Sequence, residues 1–331
     1  MIITRTPFRV SFFGGGTDFP AWFKKKSQGH VISCAIDKFS YISTRFLPPF
    51  FDYKYRIRYF EKEEVKSIAK IKHPVVKFLL KYLNYQKKGL EIVHGSDLPA
   101  LSGLGSSSAF TVGLLQSLNG LKNIYLTKKK LSTEAIKVEQ DFLKENVGCQ
   151  DQVITSYGGL NSITFQKKII DIKKINVTEE YIKNLEKSLL LVFTDLQRNS
   201  NEISKEQIIR TNHDMNDDYL YKILNVTKYA LNQIFNQKKF DIKNFGEALN
   251  QQWSLKKQLS VQISNKKIDE IYNYGIKNGA VGGKLLGAGS GGFVLFAVEE
   301  KNKKNFLKKL KNFTIIPVRI DHFGSKIIYK A

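Results

Sequence analysis

Residues 97–109 read Asp-Leu-Pro-Ala-Leu-Ser-Gly-Leu-Gly-Ser-Ser-Ser-Ala and run directly into an apolar stretch with helical spacing, Phe110, Val112, Leu114, Leu115 and Leu118. Pro99, Gly103 and Gly105 make a turn through which backbone can approach a ligand closely. A helix starting straight after it aims unpaired N–H groups and the positive end of its dipole back at the turn. Ser106, Ser107 and Ser108 bring three hydroxyls to the same end. One can cap the helix, and another can ligate a hard cation such as Mg²⁺, which takes oxygen ligands and arrives with nucleotide phosphates. The segment is either a phosphate cradle or an ordinary Gly/Ser loop before a helix.

Three other constellations bear on that choice. Apolar residues at 131, 135, 136, 138, 142 and 143 predict a helix over 131–145 with one broad apolar stripe, and Glu139 lies inside it. A carboxylate facing a core must be paired, protonated or bound to a metal, so Glu139 is either satisfied by a basic neighbour or a Mg²⁺ ligand facing the hydroxyls of the loop. Nine residues on, Gly148 breaks the helix, and Asp151 follows. There it can take or position the proton of an acceptor hydroxyl, or merely cap the next turn. At the start of the chain, Thr6-Pro7-Phe8-Arg9-Val10-Ser11-Phe12-Phe13 leads as a strand into Gly14-Gly15-Gly16-Thr17-Asp18. A triple-glycine turn lets backbone crowd a ligand, and Asp18 can accept hydrogen bonds from sugar hydroxyls or stay solvated. Arg9 points either into the core or at a polyanion.

A late segment, Gly287-Ala-Gly289-Ser290-Gly-Gly292, matches G-x-G-x-x-G but leads into the strand-like run 293–298 instead of opening a helix, so it is not a dinucleotide fingerprint. Nor is the chain a P-loop protein, because Asn278 stands where the first glycine before Gly283-Lys284 would be needed. Any nucleotide phosphate is therefore assigned to the loop at 99–108, with the late glycines forming a wall nearby.

Length and composition narrow the class. With 331 residues the chain is long enough for about two domains, and 42% apolar content is that of a globular protein. No membrane-length apolar run and no signal-peptide pattern are present, and Cys34 and Cys149 lack partners at metal-ligand spacing. These features predict a cytoplasmic protein with no membrane role. The net charge of +23 raises nucleic acid as a partner, but the charge is scattered lysine and no nucleic-acid-binding motif accompanies it. Its densest run, 301–311, reads as a helix with Phe306, Leu307 and Leu310 on one face. A basic field also collects anionic substrates.

Periodicity predicts strands near 9–13, 30–35, 40–46, 55–60, 90–94, 159–165 and 168–172, with helices near 75–83, 107–121 and 129–145. A second pattern starts at about Leu189: a strand, three helical stretches within 202–275, then strand, strand, helix and strand. The boundary falls in the lysine-rich stretch 175–187.

Taken in order, Pro7-Phe-Arg9-Val10 before a glycine turn, Gly103-Leu104-Gly105-Ser106-Ser107 before a helix, and Gly287-Ala-Gly289-Ser-Gly-Gly292 resemble the three motifs of the GHMP kinase superfamily (galactokinase, homoserine kinase, mevalonate kinase, phosphomevalonate kinase). The chain is most similar to the heptose 7-phosphate kinase branch. Ser11-Phe-Phe-Gly-Gly-Gly-Thr-Asp18, Gly148-Cys-Gln-Asp151 with Tyr157-Gly-Gly-Leu-Asn161, and Trp253-Ser-Leu-Lys-Lys-Gln-Leu259 leading to Ile263-Ser-Asn265 and Lys284-Leu-Leu-Gly287 carry that likeness.

The resemblance implies an α+β, two-domain fold. Residues 1–180 would form an ATP-binding domain like ribosomal protein S5 domain 2, and residues 181–331 a ferredoxin-like domain. It implies ATP at Pro99, Ser102, Gly103, Leu104, Gly105, Ser106, Ser107 and Ser108, and Mg²⁺ on Ser107 and Glu139. Asp151 would be the base, with Arg9 beside the transferring phosphoryl group. Gly15, Gly16, Thr17, Asp18, Gly289 and Arg198 would hold the sugar. The implied reaction is phosphorylation of the anomeric hydroxyl of D-glycero-D-manno-heptose 7-phosphate. A neutral-sugar kinase and a non-catalytic sugar or nucleotide sensor of the same fold are the alternatives. A phosphorylated acceptor calls for a basic cluster near Asp18, for which Lys24, Lys25, Lys26, Arg45, Arg56, Arg58 and Arg198 are candidates. Oligomeric state is not legible.

Overall fold

The computed structural model describes every residue except 27 and 197–199, and Ser200 only by its backbone. Among the described residues there are twelve strands, arranged in two sheets, and eleven α-helices. The first sheet is organised by β1 (Ile2–Phe13) and β2 (Gly29–Phe46), antiparallel along almost their full length. The far half of β2 pairs with β5 (Leu90–Ser96), and its near half with β6 (Leu160–Phe165), which carries β7 (Ile170–Lys174). Beyond β5 lie β3 (Tyr55–Arg58), parallel to it, and β4 (Lys62–Val65).

Two separate strands were expected at 30–35 and 40–46. They are one strand, because β1 pairs with both stretches; the register shifts between Ile36 and Phe39, where Asp37 and Lys38 are passed over. On one face of this sheet, α2 (Pro74–Tyr82), α3 (Ser106–Leu121) and α4 (Lys128–Ile136) bury Val76, Leu79, Val112, Leu115 and Leu131 against Ile42, Leu90 and Ile92.

The second sheet has the order β11 (Ile315–Pro317), β8 (Leu189–Phe193), β10 (Phe293–Val298), β9 (Ala280–Leu285), all antiparallel. The expected strand at 293–298 is β10. The final strand, β12 (Lys326–Lys330), leaves this sheet and pairs with β1 in the first one. The polar stretch read as a boundary is largely α6 (Glu179–Ser188), an amphipathic helix capped by Thr178 and anchored through buried Tyr181 and Leu185.

A common core joins the two halves. Phe8, Val10 and Phe12 of β1 pack with Leu191 of β8, Phe293 and Leu295 of β10, and Phe245 and Leu249 of α9 (Ile242–Lys257). Phe12 and Phe245 meet edge to face at 5.4 Å. Each such fully buried aromatic contributes about 1.5–3 kcal/mol, so the strand that carries Arg9 is held from both sides. In α11 (Glu300–Lys309) Phe306 is buried as expected but Leu307 turns outward, since the contact stripe is narrower than the one inferred.

Candidate active site

The loop at 99–108 closes onto α3 with Gly105 as N-cap, in the left-handed region at φ 75°. No serine side chain caps the helix, so the capping role open to one hydroxyl is not taken up. The first turn instead faces a cleft between the two halves, lined on this side by Gly103, Gly105, Ser106, Ser107 and Ser108. Other loop residues assigned to the ligand point elsewhere. Leu104 is buried in the common core, Ser102 is buried behind the loop, and Pro99 is exposed outside the cleft. Their apolar or sealed surroundings make them supports of the loop's shape. The late glycine segment forms the opposite wall, with Gly287, Ala288, Gly289 and Gly291 on the cleft and the backbones of Gly103 and Gly287 in close apposition.

Arg9 is almost fully buried and lines the cleft. Its Nε donates to Asp151 Oδ1 at 2.7 Å, Nη2 to Asp151 Oδ2 at 2.8 Å, and Nη1 to the Gly103 carbonyl at 2.6 Å. The pair therefore ties β1, the phosphate-type loop and α5 (Gln150–Tyr157) at one point. Asp151, with 23% side-chain exposure against 6% for Arg9, is the partner that faces the cleft. A Cβ on Gly105 would stand 3.1 Å from both Arg9 Cγ and Asp151 Oδ2, so only glycine lets the loop press this closely on the pair.

Next to it lies the turn at 14–18. Asp18 is 1% exposed. Its Oδ1 accepts from Gly16 N at 3.1 Å, and its Oδ2 accepts from Gln150 N at 3.3 Å and Gln150 Nε2 at 3.1 Å. Burial pushes its carboxyl up, and the charge of Asp151 adds to the rise. A methyl on Gly148 would overlap this carboxylate, which explains the glycine there. Gly15 and Gly16 line the cleft beside Asp18. Thr17, expected on the sugar, does not: its hydroxyl donates within the turn to Gly14 O at 2.8 Å and accepts from His30 N at 3.0 Å. The tight turn consumes it.

Glu139 is completely buried, as its place in the apolar stripe implied. It sits in a π-helical turn, Lys137–Phe142, that interrupts the single helix expected over 131–145. Its Oε2 accepts from Ser108 Oγ at 2.8 Å and from Gln152 Nε2, while Oε1 is buried without a partner among the described residues. The structure thus joins Glu139 to Ser108, not Ser107. One residue along α3 turns the side chain by about 100°, so Ser108 faces inward and Ser107 outward to the cleft. Burial raises the Glu139 carboxyl to about 7, with the neighbouring Glu145 charge adding to it. An orphaned carboxylate oxygen among hydroxyls is a hard-oxygen donor set of the kind Mg²⁺ takes. Among the described residues no group of three or more His, Cys, Asp or Glu could hold a metal.

Two basic residues given no role from sequence line the cleft: Lys256 of α9 and Lys284 of β9. Both lie in segments that carry the family likeness, but the spacing gives neither a role, and only the meeting of the two sheets brings them to the cleft. Of the basic candidates, the six among the described residues are not on the cleft. Lys25 and Lys26 pair with Asp214, Arg45 and Arg56 pair with Glu91, and Lys24 and Arg58 are exposed. Arg198 lies outside the described residues. Also among the described residues, no helix is long and apolar enough to cross a membrane.

Known proteins share this arrangement. Residues 68–159 match the model of the GHMP kinases N-terminal domain, and residues 230–315 that of the GHMP kinases C-terminal domain. The D-glycero-alpha-D-manno-heptose 7-phosphate kinase of Campylobacter jejuni is 28% identical over 319 residues, 94% of this chain and 93% of that protein. Among solved structures, a D-glycero-D-manno-heptose 1-phosphate kinase from Bacteroides thetaiotaomicron superposes with a TM-score of 0.76 at 21% identity over the whole of both chains. Galactokinase of Lactococcus lactis does so with a TM-score of 0.73 at 19% identity, covering 98% of this chain and 94% of that one. With both family domains matched over more than half its length and a kinase relative aligned almost end to end, the chain belongs to the GHMP kinases.

Proposed function

We propose that the chain is an ATP-dependent sugar 1-kinase. In this reading it transfers the γ-phosphoryl group of ATP to the anomeric hydroxyl of D-glycero-D-manno-heptose 7-phosphate, giving the 1,7-bisphosphate used in nucleotide-activated heptose synthesis. One observation carries the reading: the Arg9–Asp151 pair, set between the start of α3 and the turn at 14–18. The relative of 28% identity supports the choice of acceptor.

Each residue then has a task. The N–H groups and hydroxyls at the start of α3 face the nucleotide phosphates, where the helix dipole favours negative charge. Asp151 accepts the proton of the attacking hydroxyl; each of its oxygens keeps a lone pair beyond the bond from Arg9. Arg9 places a fixed positive charge beside the phosphoryl group as negative charge develops there, and needs no reorganisation to do so. Gly15, Gly16 and the Asp18 carboxylate form the sugar side, and Gly289 closes it. Glu139 Oε1, with Ser107 or Ser108, would hold Mg²⁺, which when bound neutralises charge between the phosphates. Residues 1–180 supply the nucleotide side and residues 181–331 the wall opposite, with β12 returning to the first sheet.

The test is ADP release with Mg²⁺ and ATP against heptose 7-phosphate, the unphosphorylated heptose, fucose, galactose and mevalonate. Turnover confined to the heptose 7-phosphate is expected. Preference for an unphosphorylated sugar would replace the acceptor and keep the mechanism, and silence on every acceptor with ATP still bound would favour a sensor.

A further inference from the structure

Lys256 and Lys284 are 6% and 1% exposed, and neither forms an ion pair among the described residues. Lys284 Nζ donates to the carbonyls of Ser11 at 3.0 Å and Phe12 at 2.9 Å, at the end of β1 just before the glycine turn. Lys256 Nζ donates to the Gly287 carbonyl in the late glycine segment, which leaves two of its three N–H donors for something else. Taking an ammonium out of water without a carboxylate partner is unfavourable, and here two do so side by side, with the Arg9 guanidinium as a third cation.

Beyond the Arg9–Asp151 pair, the two lysines face one carboxylate, that of Asp18. Arg9 is committed to Asp151, and the Asp18 carboxylate is already held by Gly16 and Gln150. Burial pulls the Lys256 ammonium down to about 8, with Arg9 adding to the fall, as expected of a cation awaiting a counter-charge. At the same end of the cleft, Ser11 Oγ and Gln150 Oε1 are buried without partners.

We propose that Lys256 is a phosphoryl-binding residue of the cleft, with Lys284 anchored behind it on the carbonyls of Ser11 and Phe12. Lys284 cannot swing, because its two carbonyl bonds anchor it across the two sheets. Lys256 faces the cleft from α9 with free donors and neutralises a phosphate that enters between the glycine turn and the late glycine segment. That phosphate is either the acceptor's own or the group in transfer. Which of the two it is rests on the kinase reading above; the binding of phosphate does not.

The experiment uses the wild-type protein, Lys256→Met and Lys256→Arg, with inorganic phosphate as probe in thermal unfolding and with kinetics on heptose 7-phosphate and the unphosphorylated heptose. Phosphate should raise the wild-type Tm, leave that of Lys256→Met unchanged and raise that of Lys256→Arg, which keeps the charge and guards against a merely misfolded variant. If the acceptor's phosphate is the ligand, Lys256→Met raises KM for heptose 7-phosphate about 10- to 100-fold and leaves KM for ATP alone. If the group in transfer is the ligand, kcat falls for both acceptors together. A wild type indifferent to phosphate, or a Lys256→Met variant stabilised by it as fully as the wild type, overturns the proposal. Failure of the heptose reading would show differently, as wild-type turnover of another acceptor with the phosphate readout intact.

Discussion

Arg9 and Asp151, 142 positions apart, meet through two parallel hydrogen bonds of 2.7 and 2.8 Å, and the same guanidinium holds the Gly103 carbonyl of the phosphate-type loop. This fork-to-carboxylate geometry fixes both direction and distance, which a lysine in place of Arg9 would not. The orientation of Asp151 toward the cleft is thus set by β1 and the loop together, not by its own short helix.

Asp151→Asn keeps the shape but removes the acceptor of the proton and one point of the fork. The expected loss in kcat is about 10²- to 10⁴-fold, with KM for ATP little changed. Steady-state kinetics at saturating ATP check it. Near-normal turnover would reduce Asp151 to a residue that only holds Arg9.

Gly148→Ala should act at a distance from the phosphates. Its methyl would overlap the Asp18 carboxylate, and the backbone of the turn at 14–18 offers little room to retreat. Overpacking of this kind destabilises by about 1–3 kcal/mol. Displacement of Asp18 should also raise KM for the acceptor more than KM for ATP. Denaturant unfolding together with the two KM values tests both halves, and an unchanged acceptor KM would remove Asp18 from the sugar side.

Glu139 gives the pH prediction. Its carboxyl is raised from the ordinary 4.5 to about 7 in the folded protein, so the native state holds this proton more tightly than the unfolded chain does. The resulting stability is complete below about pH 4.5 and is lost as pH rises through about 7, a difference on the order of 3 kcal/mol. In the presence of a chelator, wild-type stability should therefore fall across that window relative to Glu139→Gln, whose own profile lacks the slope. Parallel unfolding profiles for the two proteins would show that the carboxylate is not the source. Adding Mg²⁺ at neutral pH should stabilise the wild type and not the variant.

Much of this was written in the chain. Local rules placed β1 before its glycine turn, the Gly/Ser loop before α3 and the strand after the late glycines. A turn needing positive φ and a helix needing its first residues depend on near neighbours only. Glu139 was legible as buried from its position in the apolar stripe, and Asp151 as poised from the helix break before it. The side-chain partners were harder to read. That Ser108 and not Ser107 meets Glu139 depends on the rotation of α3 about its axis. The π-turn at 137–142 is invisible to a 3.6-residue period. Thr17 looked like a ligand group because nothing in sequence says that the carbonyl of Gly14 and the N–H of His30 will use its hydroxyl first.

The sequence by itself determined the α+β character, the loop chemistry at the start of α3 and the family, since these rest on short-range spacing and motif order. Tertiary structure alone decided that β12 closes the first sheet, that Arg9 grips Asp151, and that two lysines out of a scattered basic excess become buried at the cleft. The reason is physical. Spacing fixes which face of an element is apolar. Which distant charge lies opposite, and how much water is left around it, depends on how the two sheets pack over the shared core of Phe8, Phe12 and Phe245.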